Sequence, residues 1–246
     1  MITKDLNMSL FKDFEPVSHQ EWLNKITQDL KGKNFEETLV WKTDEEIDIQ
    51  PIYNSESLAN NISQHIDFKN NGDSEIREQI TINSVKDANK QALNALAGGA
   101  DSIQFNGEIN SQEEMNELLN NIMLDIIHVH FYTPSPLQTL TFLKAKLQAD
   151  NVDESKLNGS ISYDFLGEYL VTGNWNTNQE DAFKTLSRLQ DATELDTIIV
   201  KGINYTNAGA TASQELAYTI SQAVEYIHQL TELGVSPEKA MNSITF

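Results

Sequence analysis

Apolar positions along this chain follow two periods, and the alternation between them predicts its architecture. Short apolar or alternating runs at Ile76 to Ile82, Ser102 to Phe105, Ile126 to Tyr132, Gly159 to Tyr163 and Asp196 to Val200 read as strands. A helix signal follows each. One helix is expected after Asp87, and a second opens at the Ser111-x-x-Glu114 box and carries Met115, Leu118, Leu119 and Ile122. Ser135-Pro136 supplies an N-cap and a first helical residue for a helix reaching about Gln148, and Thr177-x-x-Glu180 opens one that ends near Thr193. The longest helix follows a glycine-bounded strand-to-helix loop from Gly202 to Gly209. There Leu216, Ile220, Ala223, Val224, Ile227, Leu230 and Leu233 recur at steps of three and four, which predicts one buried face. Thr211 and Gln214 form its capping box, and Gly234 followed by Pro237 gives the stop. Strands alternating with helices imply parallel pairing through right-handed crossovers, so the fold class is α/β.

The first part of the chain lacks this rhythm. Ser18 to Gly32 predicts a helix with a Ser18-x-x-Glu21 capping box, and WKTDEEIDIQPIY predicts an extended arm ending at Pro51. Asn54 to Ser74 is rich in Asn, Ser and Asp, with a turn at Asn70-Asn71-Gly72-Asp73, and reads as a connection. The expected division is therefore an N-terminal arm and connection over residues 1–74 and an α/β domain over 75–246.

Composition narrows the partners. A net charge of −20 disfavours nucleic acid and anionic membrane surfaces, both of which need a cationic footprint. With no cysteine the chain has no disulfide, no thiolate metal site and no cysteine nucleophile, which fits a cytoplasmic setting. No apolar run approaches the roughly 20 residues that span a bilayer. The opening MITKDLNMSLFKDF contains acids and no long apolar stretch, so neither a secretory signal nor a transit peptide is indicated.

The side chains that often carry chemistry give weak signals. His128 and His130 share one strand face, yet a structural zinc site takes four protein ligands and a catalytic one three, so hydrogen-bonded strand histidines are the expectation and no metal is assigned. Asp164 and Glu168 are a close acid pair at a strand end, read as loop-holding hydrogen-bond acceptors in preference to an acid/base pair. The Gly202 to Gly209 loop lacks a phosphate-binding glycine pattern. Trp22, Trp41 and Trp175 have no common spacing, and burial in a core or an interface is expected for each.

Wording adds what periodicity lacks. GINYTNAGATASQELAYTI, beginning at Gly202, resembles the strand-loop-helix segment of the methylmalonyl-CoA mutase family, in which AGA, a variable stretch and ELAY recur. Asp29-Leu30-Lys31-Gly32, the run from Phe35 to Thr43, and Pro51-Ile52-Tyr53 resemble the family's N-terminal arm. Asp87-Ala88-Asn89, Ala92-Leu93 and Gly99-Ala100 resemble the small, non-catalytic subunit of the two-subunit bacterial enzymes. The resemblance spans Leu10 to Phe246.

It implies a TIM-type (β/α)8 barrel behind the arm. Such a barrel takes roughly 250 residues, whereas this chain reaches about five βα units and the start of a sixth strand at Ser243 to Phe246. A truncated chain with an incomplete barrel is therefore expected. The family's catalytic chains place a tyrosine, an arginine and a histidine around the acyl group of the CoA thioester. Alignment puts Gln79, Thr172 and Asn204 at those positions, so the resemblance implies no catalytic residue here. The family's Asp-x-His-x-x-Gly cobalamin motif is missing from all five histidines. Adenosylcobalamin is accordingly expected on a large subunit, with this chain as its structural partner in converting methylmalonyl-CoA to succinyl-CoA. The alternatives are a catalytic acyl-CoA mutase chain with altered substrate residues and a free-standing CoA-binding or regulatory module.

Overall fold

The computed structural model describes residues 17–54, 74–175 and 177–246. The chain divides into two units, residues 1–69 and 70–246.

In the first unit, α1 (His19–Asp29) opens with the complete Ser18/Glu21 capping box. A short helix, α2 (Phe35–Leu39), follows from the Asn34 cap and was not expected from the pattern. Phe35 meets the Trp22 ring edge-on at 6.2 Å between centroids. Within the expected extended arm, β1 (Trp41–Lys42) and β2 (Asp48–Ile49) pair as an antiparallel hairpin. The Thr43 hydroxyl and carbonyl accept from the amides of Ile47 and Glu46, and Glu46 takes a positive φ, which folds the acidic stretch back on itself. The expected turn at residues 70–73 lies outside the described residues.

The second unit repeats strand and helix. Its elements are β3 (Arg77–Thr81), α3 (Val85–Ala97), β4 (Ser102–Asn106), α4 (Gln112–Leu118), β5 (His128–Tyr132), α5 (Pro136–Asp150) and β6 (Gly159–Ser162). Then come α6 (Phe165–Thr172), α7 (Gln179–Ala192), β7 (Ile198–Ile199), α8 (Ile203–Asn207), α9 (Ala212–Glu232), α10 (Pro237–Asn242) and β8 (Ile244–Thr245). Strands β3 to β6 form a parallel sheet in sequence order. A bridge from Ser160 to Asp196 carries the order toward β7, which pairs in parallel with β8. The fold is α/β, and the strand order never reverses.

Sequence signals set most boundaries, with local corrections. The helix expected after Asp87 starts at Val85, because Ser84 caps it and Asp87 donates its amide to that cap. Ser111 caps α4, but Glu114 reaches back to the amide of Asn110 rather than closing a full box. Asn178 replaces Thr177 as the cap of α7. The glycine-bounded loop contains a helix, α8, and Pro237 starts α10 instead of only ending its predecessor. At the start of β6, Gly159 has φ +142°, and a Cβ there would lie 1.8 Å from the Val129 carbonyl oxygen. Only glycine lets β6 enter the sheet so close to β5.

Register divides the sheet into two chemically distinct faces. Ile80, Ile103, Phe105, Val129, Phe131 and Ile161 point toward the helices and belong to one buried cluster with Met115, Leu118, Leu143 and Leu147. The other face is polar in paired rows: Arg77, Ser102 and His128; Gln79, Gln104, His130 and Ser160; Thr81, Asn106, Tyr132 and Ser162. A second apolar cluster joins Phe183, Leu186, Ile198, Val200, Tyr226 and Leu230 around α7, α9 and β7.

The largest correction concerns α9. Thr219, Gln222, Ala223, Tyr226 and Leu230 are its buried residues, whereas Leu216, Ile220 and Val224 are 62%, 49% and 56% exposed. Leu233, just past the helix, is also exposed. The helix turns a partly polar face inward because that face reaches Asp164.

Candidate functional site

Two carboxylates organise the polar groups of the second unit, one past the C-terminal end of β6 and one before the N-terminal end of β3. Asp164 caps α6 and is completely buried. Its Oδ1 accepts from the Gly167 amide at 2.9 Å, from Tyr226 Oη at 2.9 Å and from the Gln222 side-chain amide, while the Lys201 amide reaches Oδ2 at 3.4 Å. A Cβ at Gly167 would come within 2.0 Å of Asp164 Oδ2, so the tight cap needs glycine. Tyr226 Oη also accepts from the Leu166 amide, and Gln222 Oε1 accepts from Tyr205 Oη at 2.7 Å. Burial raises the Asp164 pKa, an effect the donors oppose without overcoming.

Beside this latch, Tyr132 Oη donates to Glu168 at 2.6 Å, and Lys201 Nζ sits 3.3 Å from the Tyr132 ring centroid. Burial lowers the Lys201 pKa while Glu168 and Asp164 counteract it. Burial, reinforced by Glu168, raises that of Tyr132. With three donors on Oδ1, Asp164 holds the start of α6 against α9.

Glu75 gathers a different set. Its Oε2 accepts from Arg77 at 2.7 Å, Ser102 Oγ at 2.9 Å and His130 Nε2 at 3.2 Å, and Oε1 meets His128 Nδ1 at 2.6 Å. Burial pushes this carboxyl up, but the bonds from Arg77, His128 and Ser102 and the Arg77 charge outweigh it and hold it at about 2. His130 falls to about 4, mainly through burial and then the Arg77 charge, against the pull of Glu75. It is therefore neutral at pH 7. Its Nε2–H donates to Glu75, and Nδ1 accepts from Ser160 Oγ–H at 2.9 Å, so its contact with Glu75 is a hydrogen bond and not an ion pair.

The residues singled out from the sequence are scattered. Gln79 lies on the polar face of β3, opposite Gln104. Thr172 ends α6, where its hydroxyl donates to the carbonyls of Glu168 and Asn174. Asn204 lies in α8. No hydrogen bond joins any two of the three among the described residues. Asp164 and Glu168 do share one neighbourhood, as acceptors, and His128 and His130 meet at Glu75. No cluster of three metal-ligating side chains occurs among the described residues. Trp175 stacks on Tyr169 at 4.7 Å, whereas Trp41 is 65% exposed. Tyr132, Lys201, Gln222, Tyr226, Glu75 and Arg77 were missed. The one available signal was Gln222 and Tyr226 at i, i+4 on a helix, a polar pair whose significance depends on a partner about 60 residues away.

The family profile described as methylmalonyl-CoA mutase matches residues 107–246, from the end of β4 through β8. This chain belongs to the methylmalonyl-CoA mutase family. It is 31% identical to the methylmalonyl-CoA mutase small subunit of Porphyromonas gingivalis, over 96% of this chain and 41% of that protein. It is 24% identical to the small subunit of Streptomyces virginiae over 100% of this chain and 43% of that protein. The match to the large subunit of Streptomyces virginiae is 27% over 56% of this chain and 20% of that protein. The chain thus spans about two fifths of the length of the small subunits it resembles. No described helix is long and apolar enough to cross a membrane.

Proposed function

We propose that this chain acts as the structural, non-catalytic small subunit of an adenosylcobalamin-dependent methylmalonyl-CoA mutase, assembled with a large subunit that isomerises methylmalonyl-CoA to succinyl-CoA. The similarity to small subunits along nearly the whole chain carries this reading. Gln79, Thr172 and Asn204 support it. At the positions aligned with the family's substrate-holding residues they provide no guanidinium to pair with a carboxylate and no titratable imidazole.

The unreversed order of parallel strands supports reading residues 75–246 as part of a (β/α)8 barrel, preceded by the arm of residues 1–74. In the full enzyme the cofactor supplies the radical chemistry. The histidines described here do not fit it. Both ring nitrogens of His130 are bonded, His128 is held by Glu75, and none has an aspartate two positions earlier. The cofactor therefore falls to the large subunit in this reading, and the assembly is a cytoplasmic heterodimer.

Co-expression with a large subunit, followed by size exclusion and activity measurement on the same fractions, tests the proposal. The two chains should co-elute, and turnover should appear only in fractions holding the large subunit. Separate elution sinks the structural reading. Turnover by this chain alone with adenosylcobalamin would instead favour a catalytic acyl-CoA mutase chain, and CoA binding without large-subunit binding would favour a free-standing module.

A further inference from the structure

We propose that Arg77, Ser102, His128 and His130 form a binding cradle for a small monocarboxylate, and that Glu75 occupies it as an internal substitute which an external carboxylate can displace. The proposal is independent of assembly with a large subunit. Its groups lie on β3 to β5, with Ser160 of β6 behind them and Glu75 just ahead of β3.

The donors and the acceptor are held differently. Arg77, Ser102 and His128 form one row across three parallel strands, and His130 stands in the next row of the same face. Three of them are oriented by contacts that do not involve Glu75. Ser160 Oγ meets His130 Nδ1 at 2.9 Å, and Arg77 Nε reaches Ser102 Oγ at 3.3 Å. Glu75, in contrast, precedes β3 and lies outside the ladder, so its carboxylate can leave while the sheet keeps the donors in place.

Glu75 also fills the cradle unevenly. Its Oε2 receives Arg77 Nη2 at 2.7 Å, Ser102 Oγ at 2.9 Å, His130 Nε2 at 3.2 Å and Arg77 Nε at 3.3 Å, whereas Oε1 receives His128 Nδ1 at 2.6 Å. A guanidinium pairs best when its two N–H groups meet two different carboxylate oxygens. Tethered two residues from Arg77, Glu75 places both on one. A free carboxylate can turn to share the fork between its oxygens. The outer edge admits it: the Arg77 and His128 side chains are 36% and 38% exposed, and His130, at 8%, forms the floor.

Surrounding charge sets the ligand class. Asp101 accepts from the Ile76 amide at 2.8 Å beside the cradle, and Asp196, whose pKa burial raises, feels the Arg77 charge. A single guanidinium with two further carboxyl groups near it favours a monoanion over a dianion such as hydrogen phosphate. The low pKa of Glu75 agrees: its donors favour negative charge at this point despite partial burial.

Acetate, titrated at constant ionic strength into the 246-residue chain and followed by NMR through the His128 and His130 ring signals, tests the proposal. In the native chain it competes with a tethered carboxylate whose effective concentration is of millimolar order or above, so weak but saturable binding is expected. Glu75→Ala frees the cradle. It should bind acetate about tenfold more tightly than the native chain, and its melting temperature should rise as acetate is added. Glu75→Gln, which keeps the side-chain volume, gives the same comparison if Glu75→Ala does not melt cooperatively. Adding Arg77→Gln to either variant should abolish saturable binding. No saturable shift in the native chain would overturn the proposal whatever the variants do. Equal affinity with and without Glu75, or binding that survives Arg77→Gln, would also overturn it. Hydrogen phosphate binding more tightly than acetate would overturn the assigned class. None of these readouts depends on co-elution with a large subunit.

Discussion

Asp164 and Glu75 are both carboxylates that accept several hydrogen bonds at the ends of one parallel sheet, yet their protonation equilibria shift in opposite directions. Asp164 is fully buried, and its nearest donors are neutral: two side-chain groups and backbone amides. Those dipoles do not fully replace lost hydration, and its pKa rises. Glu75 is only partly buried, and one of its donors is the Arg77 guanidinium. The bonds from Arg77, His128 and Ser102, with the Arg77 charge added, together outweigh its desolvation, and its pKa falls. The number of hydrogen bonds alone therefore does not predict the direction of the shift; it has to be weighed against depth of burial.

Removing the deeper acceptor should have the largest effect. Asp164→Ala leaves the Gln222 amide, the Tyr226 hydroxyl and the Gly167 amide without their buried partner and should cost on the order of 3–5 kcal/mol. Urea unfolding would measure it; a loss below about 1 kcal/mol would mean water can replace the latch. Asp164→Asn keeps one oxygen for the donors and should lose less.

Acid provides the next contrast. Because the pKa of His130 is lower folded than its ordinary 6.5, the unfolded chain takes up that proton first. Its contribution is complete above about pH 6.5 and is lost as pH falls toward about 4, on the order of 3 kcal/mol. Glu75 adds a loss in the same direction, between its ordinary 4.5 and about 2, reduced by its exposure to solvent. Asp164 acts in the opposite sense: its raised pKa means that protonation on acidification favours the folded chain. Melting temperatures from pH 7 to pH 4 should fall in the native chain and flatten in His130→Asn. An unchanged slope in that variant would remove His130 from this account.

Smaller effects should separate the two ends further. Tyr132→Phe deletes the bond to Glu168 while keeping the ring beneath Lys201, and should cost about 1 kcal/mol in chemical denaturation. Glu75→Gln should cost no more, since its site is partly exposed. Its clearer signature is spectroscopic: without the neighbouring negative charge, the His130 pKa should drop below about 4 in an NMR titration.

Much of the frame was legible from local chemistry. The Ser18/Glu21 and Thr211/Gln214 boxes and the Ser135-Pro136 start lie where the sequence puts them, and the strands at 102–106 and 128–132 end within one or two residues of the expected 102–105 and 126–132, because caps and periodicity act within a few residues. The short helices α2, α6, α8 and α10 were missed, since one or two turns give little periodic signal. The site was less legible. Asp164 and Glu168 were read correctly as acceptors, but Glu75 lies in a stretch with no motif, and its partners come from β3, β4 and β5. Gln79, Thr172 and Asn204 were named by resemblance and share no contact among themselves.

By itself, the sequence determined the α/β alternation and the capping boxes of α1 and α9, which depend on neighbours close along the chain, and the alternation in turn implied parallel pairing. Tertiary structure decided which face of α9 is buried. Periodicity favoured Leu216, Ile220 and Val224, but Tyr226 and Gln222 had to turn inward to satisfy a buried carboxylate contributed by another βα unit. It also decided that the alternating strands SIQFN and HVHFY bury polar side chains such as Gln104 and His130 instead of exposing one face to solvent. Alternation can place a residue on a face, but only the elements brought together by folding determine what that face meets.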